Sequence, residues 1–515
     1  MLRSPEEGCS FRAARISGRN SYHHTPRRRH LNSHERTTPC QTMRIHQRMA
    51  CAPMLYGTVG IVFFVLAFAA PLAAIAGVAP IVFGTAGSVG APGIYAVCTL
   101  VLLVFSVGFA AMSRRHSGPG GFAVYVAKAF GSRPGFSASF VAILGYNAFL
   151  SGNLGLFGYM MSQLCERKLS VDVPWWVFAL AAVALMCVLG YREIDLSVKV
   201  LGVLLIVEMA IILVLDVATL LRGGYDGINF DGFTIRAMSS GAPGIVFLVA
   251  FACFVGFEAT TLYGEEARDR RRTIPRATYI AVLVVGVFYT LVMWIFQIGY
   301  GNEEAAQVAT EDPGNFLFAI NTHYVGSWST DAMEWLLATS IFAAVLSMHN
   351  ALSRYLFALG RDGALPSPVG RPHPRYRSPH RANLIQTAVT LSIVSVFALF
   401  GADPYVQLYS WLVGVGSVSI LVLYMASSLA VCFVLRSTRD ENRLWVTTIA
   451  PVIAFVAIGF FLWLAIDNYE SLTGSNSALV NHLWLLIPLF AVIGAAVTRN
   501  ITFGADTPIE QKETA

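Results

Sequence analysis

The chain has 515 residues, of which 55% are hydrophobic and 13% charged. Soluble domains carry about twice that charged share, so a soluble globular fold is excluded and a chain immersed in lipid is implied. The formal charge of +6 does not describe a nucleic-acid-binding surface, because residues 1–55 hold ten arginines against three glutamates and the rest sums to about −1.

Residues 1–55 are polar, rich in Arg and His, and lack the apolar core of a secretory signal. They are expected to form a disordered basic cytoplasmic tail, in which Arg27 to Arg29 meet anionic lipid, or remain solvated, or precede a true start at Met43, Met49 or Met54. After them, apolar windows of membrane length fall at about 56–84, 93–112, 134–164, 174–190, 197–221 and 243–264. A second set follows at about 277–299, 331–358, 382–401, 405–435, 445–466 and 480–498. Windows longer than about 25 residues imply tilt or a break. Basic residues test the count. With the N-terminus inside, roughly twenty Lys and Arg fall in inside loops, against Arg167, Lys168, Arg222 and Arg236 outside. That bias supports twelve crossings with both ends cytoplasmic. Trp175 and Trp176 open the fourth window where an interfacial aromatic belt belongs.

Two windows are interrupted. The first contains Pro71, Gly77 and Pro80 in the string from Ala70 to Pro80, too much punctuation for a plain helix. The sixth carries Gly256 and Glu258 at mid-depth and runs into a charged segment from Gly264 to Ala277. A carboxylate in lipid costs about 2.5–3.5 kcal/mol on insertion scales, and lipid-exposed broken backbone is not tolerated. Both features therefore imply a cavity that binds something polar. Paired interruptions in matching positions of two halves point to a midplane site between inverted repeats, and close helix packing at the glycines is the alternative. The eight cysteines are scattered, with no metal-ligand or disulfide spacing, so no metal or cofactor is expected. The clustered His, Asp or Cys of a membrane enzyme is absent from the pattern.

Three motifs carry a resemblance. Gly256-Phe257-Glu258 is followed by Glu265-Glu266 and by Arg272-Thr273-Ile274-Pro275-Arg276-Ala277. Arg354 to Pro366 reads RYLFALGRDGALP, and Gly118 to Gly131 reads GPGGFAVYVAKAFG. Together these resemble the amino acid–polyamine–organocation superfamily of permeases, over about residues 56–435. The chain departs from that pattern at Asp269-Arg270, where Asn-Pro is common, and at Ala74-Ile75-Ala76-Gly77, where Gly-Ser-Gly is common. The resemblance implies an all-α integral membrane protein of 12 transmembrane helices, with a 5+5 inverted-repeat core of the leucine-transporter type and discontinuous helices 1 and 6. The implied organisation is a tail over 1–55, a ten-helix core over 56–435, two additional helices over 436–498 and a cytoplasmic tail over 499–515.

The expected activity is secondary active transport of an amino acid or related amine across the plasma membrane by alternating access, with proton symport. A solute exchanger, a nutrient sensor on the same scaffold and a channel are the alternatives. Substrate binding is expected at the first break, where backbone N–H groups of Ala74, Ile75, Ala76, Gly77 and Val78 suit a carboxylate. The second break offers carbonyls around Cys253, Phe254, Val255 and Gly256 to an ammonium, with Phe251 or Phe254 closing over the solute. Glu258 pairs with a cationic substrate group, carries the coupled proton, or caps freed backbone N–H groups. Glu208 is a proton carrier or an acid satisfied by a neighbouring helix. The resemblance implies coupling near Lys199, and Ser347 faces the ion or proton site. Glu265, Glu266, Arg272 and Arg354 are expected to latch a cytoplasmic gate.

Overall fold

The computed structural model describes residues 57–114, 121–192, 198–258, 260, 269–374, 378–437, 443–498, 501 and 503. The tail over 1–55, nearly all of 499–515, and Glu265 and Glu266 of the expected gate lie outside the described residues. Among the described residues every regular element is a helix. Chain order gives α1 Thr58–Ala69, α2 Pro71–Pro80, α3 Ala91–Ser113, α4 Phe122–Phe130, α5 Ser132–Leu169, α6 Trp175–Tyr191, α7 Val198–Arg222 and α8 Pro243–Cys253. There follow α9 Arg270–Tyr300, α10 Asn302–Glu311, α11 Phe316–Tyr324, α12 Ser327–Arg361, α13 His380–Leu399, α14 Ser410–Ser437, α15 Ala450–Asp467 and α16 Leu486–Val497. Nine helical stretches among the described residues are long and apolar enough to cross a membrane, and three shorter apolar helices, including α6 and α8, accompany them.

The helices sort their side chains by solvent. On α7 the large apolar residues Val203, Ile206, Val207, Val214 and Val217 face outward, whereas Leu205, Glu208, Ile212, Leu215, Asp216 and Thr219 are buried. The inward set recurs at three- and four-residue spacing, so one stripe of the helix meets protein and the opposite stripe is left for lipid. Burial of α1 to α3, α5, α8, α9, α12 and α14 forms one contiguous apolar core.

One end of α5 is tied to the start of α12 by charge. Arg167 donates to Glu334 at 2.9 Å, and Lys168 pairs with Glu334 at 3.3 Å and with Asp331. The Arg167 guanidinium also lies 5.7 Å from the Phe318 ring of α11, a cation–π distance. Glu334 is buried, while the Asp331 side chain is 58% exposed. Glu334 accepts from both cations, whose side chains stay 34% and 40% exposed. Its loss forfeits charge-assisted hydrogen bonds of about 1 kcal/mol or more without burying an unpaired donor, whereas a pair with both ends exposed contributes little. Glu334→Ala is therefore expected to lower the melting temperature of the purified protein clearly, and Asp331→Ala to leave it unchanged. Equal losses in thermal unfolding would contradict this account.

Candidate functional site

The first break falls at Ala70, between α1 and α2, and not at Ala76 to Val78. Proline has no N–H and disfavours the helical region for the residue before it. Pro71 therefore forces Ala70 out of the helix, to φ 43° and ψ 69°. That left-handed conformation costs a non-glycine residue about 1–2 kcal/mol, so the surrounding packing must hold it. The Ala70 N–H still donates to Leu66 O, and the Ala74 N–H is the first to reach back, to Ala70 O. The N–H groups of Leu72 and Ala73 precede the first helical acceptor of α2, and no side chain caps them. Ala76, Gly77 and Val78 lie inside the wound helix. Pro80 does not end it; the chain widens into a π-helical turn over Ile81–Thr85, which accommodates a proline ring within a helix.

The second break follows α8. After Cys253 the chain tightens, with Phe254 N–H donating to Phe251 O and Val255 N–H to Ala252 O. Gly256 then takes φ 117°, a region open essentially to glycine. Its N–H donates to Glu258 Oε2 at 2.9 Å, and the Tyr146 hydroxyl of α5 donates to Glu258 Oε1 at 2.6 Å. Of the three roles left open for Glu258, these contacts match the cap on freed backbone. The two breaks touch each other: a Cβ added to Gly256 would lie 2.6 Å from Phe68 Cδ1.

A cavity of about 50 Å³ opens at the meeting point of the two breaks. Ala69, Ala70, Ala73 and Ala74 supply one wall, and Cys253 and Val255 the facing one. Phe149 and Asn153 of α5, Ala344 and Met348 of α12, and Tyr409 and Val413 complete it. Among the described residues no charged side chain lines it. Its polar groups are Asn153, whose amide donates to Phe149 O, the Cys253 thiol, the Tyr409 hydroxyl, and the backbone at the two breaks. Tyr409 stacks on Tyr405, whose hydroxyl donates to the Gly77 carbonyl at 2.8 Å.

The structure brings Ala74, Val78, Cys253 and Val255 to the cavity, while Ile75, Ala76, Gly77 and Gly256 stand behind its lining. Phe251 and Phe254 are not in the lining either. Phe251 packs on Phe461 and Phe254 on Tyr289. Glu208 is buried on α7 and accepts from the Ser340 hydroxyl of α12 at 2.8 Å. The Ser347 hydroxyl donates to Ala343 O of its own helix, and the Lys199 side chain lies outside the described residues. Of the expected gate, Arg272 is 78% exposed and 3.8 Å from Asp269, a surface pair of little weight, and Arg354 sits on an exposed face of α12. Sequence reasoning missed the wall from Phe68 to Ala73, although the Ala70-Pro71 step was its signal. It also missed Asp216, buried on α7 inside an apolar run.

A family model described as amino acid permease matches residues 57–493. The chain belongs to the amino acid permease family. This permease is similar to the low-affinity putrescine importer PlaP of Escherichia coli, with 22% identity over 410 residues, 76% of this chain and 85% of that protein. It is also similar to the branched-chain amino acid permease BcaP of Bacillus subtilis, with 25% identity over 319 residues and 62% of each chain. The methylthioribose transporter of Bacillus subtilis is 24% identical over 325 residues, again 62% of each chain. Family and relatives alike are permeases and transporters, not enzymes, so the protein is a multi-pass membrane transporter of small molecules.

Proposed function

We propose that this permease moves an amino acid across the plasma membrane by alternating access, in symport with protons. The observation that carries the reading is the meeting of two helix breaks across one cavity. The N-terminal end of α2, where no side chain caps the first N–H groups and Ala73 lines the space, brings a positive helix dipole to it, which suits a carboxylate. Cys253 at the C-terminal end of α8 and Val255 just beyond it line the facing wall, where the negative end of the helix dipole suits an ammonium. Ala74, Val78, Phe149, Met348 and Val413 leave an apolar surround for the side chain. A polyamine would bring a second ammonium and find no carboxylate there, so the lining favours a neutral amino acid with an apolar side chain.

The same breaks support a core of two five-helix halves in which α1–α2 and α8 begin corresponding units. Counting the three shorter apolar helices with the nine long stretches supports twelve crossings, with the ten-helix core over 56–435 and two helices after it. The basic bias of the predicted inside loops supports cytoplasmic ends. A cavity of about 50 Å³ holds only a few waters. An amino acid needs more, so binding has to part α2 and α8 from α5 and α12, the movement alternating access requires.

Uptake of radiolabelled amino acids and amines into proteoliposomes, with and without an acidic exterior, tests the reading. The expected result is saturable uptake of neutral apolar amino acids, counterflow against preloaded substrate, and accumulation only with the pH gradient. Transport of no compound on the panel would overturn it, and conductance without saturation would replace the carrier by a channel.

A further inference from the structure

The α7 stripe that faces protein carries two carboxyl groups of different standing. Glu208 has the Ser340 hydroxyl as a partner. Asp216 is 1% exposed, and among the described residues neither of its oxygens has a hydrogen-bond partner. Eight helical steps from Glu208 place Asp216 about 12 Å further along the helix, toward Arg222. We propose that Asp216 is the site at which this carrier binds its coupled proton, a reading that rests on the proton symport proposed above.

The argument is one of solvation. A carboxylate removed from water is tolerated only when paired or fully hydrogen-bonded, and in a membrane such a group marks a proton or ion path. Among the described residues, the helices packed against α7 offer Asp216 no counter-charge. α1 and α2 contain no ionisable side chain. On α9 the Tyr300 hydroxyl is used by Phe316 O, the Tyr289 hydroxyl has no partner, and Arg271, Arg272 and Arg276 are exposed at the far end. On α11 the Tyr324 hydroxyl donates to Gly299 O, and the His323 carbonyl accepts from Arg222. On α12 Asp331 and Glu334 pair with Arg167 and Lys168, His349 meets Asn383, and Arg354 and Arg361 lie beyond it. None of these groups reaches an Asp216 oxygen. The closed packing around α7 is therefore compatible with a neutral Asp216 and not with an ionised one.

The step is a proton transfer. Where water reaches Asp216, hydronium gives its proton to a carboxylate oxygen, an O–H bond forms and water departs. The helices then close over an uncharged group. When the carrier opens to the other side, that O–H bond breaks and the proton returns to water. Closure needs the proton, which couples its flow to the solute's.

Asp216→Asn fixes the neutral state. In proteoliposomes the wild type is expected to accumulate substrate about tenfold for each pH unit of gradient, if one proton accompanies each solute. Asp216→Asn is expected to continue counterflow while its accumulation ratio falls to about 1. Retained pH-driven accumulation in Asp216→Asn overturns the inference, as does wild-type accumulation driven by a sodium gradient instead. Should Asp216→Asn not reach the membrane, Asp216→Glu is read: a shifted pH profile of uptake supports the assignment, and an unshifted one overturns it. Failure of the wild type to carry any amino acid or amine would remove the symport reading itself, a result distinct from an indifferent Asp216→Asn.

Discussion

Gly256→Ala is expected to abolish saturable uptake and to lower the stability of the purified protein. Two costs add at this position. A side chain at φ 117° is strained by about 1–3 kcal/mol, and its Cβ would lie 2.6 Å from Phe68 Cδ1, against a residue that lines the cavity. Phe68 or the turn must shift, and the cavity wall shifts with it. Gly87→Ala separates the two effects, since Gly87 has φ 56° and open space around an added Cβ. It should lose some stability and keep uptake. Wild-type transport rates in Gly256→Ala would mean that the apposed breaks are not the binding site.

Glu258→Ala is expected to cost about 1–3 kcal/mol, because it strands the buried Gly256 N–H and takes the acceptor from the half-buried Tyr146 hydroxyl. Glu258→Gln keeps one acceptor oxygen and should lose roughly half as much. The order of unfolding midpoints, wild type above Gln above Ala, checks the cap. If Glu258 served only as a proton carrier, Ala would uncouple transport and leave the midpoint in place.

The long helices were legible because the bilayer sets their length. The expected windows at 93–112, 197–221, 331–358 and 445–466 meet the helices Ala91–Ser113, Val198–Arg222, Ser327–Arg361 and Ala450–Asp467, the last after a π turn from Trp445. The second break was legible at Gly256, since glycine followed by a buried acid had no apolar explanation. The first was misplaced by weighing Gly77 over Ala70-Pro71. A helical glycine costs only about 1 kcal/mol and packing overrides it, whereas proline removes a donor and constrains the residue before it. The cavity walls from α5, α12 and the segment around Tyr409 were not legible, because they are joined only by three-dimensional packing. Asp216 is legible as an acid within the 197–221 window, as Glu208 is, but its lack of partners among the described residues is a property of five neighbouring helices and not of its own run.

The longest helix has a mechanical consequence. α5 runs unbroken from Ser132 to Leu169, a 38-residue rod about 57 Å long. One side of it holds Glu258 through Tyr146, its middle forms cavity wall at Asn153, and its end grips α12 through Arg167. A rod that stiff works as a lever: pivoting by about 5° at one end displaces the other by roughly 5 Å, about one helical turn. Loosening the clasp between Arg167 and the buried Glu334 is therefore expected to shift Tyr146 and, through Glu258, the turn at Gly256.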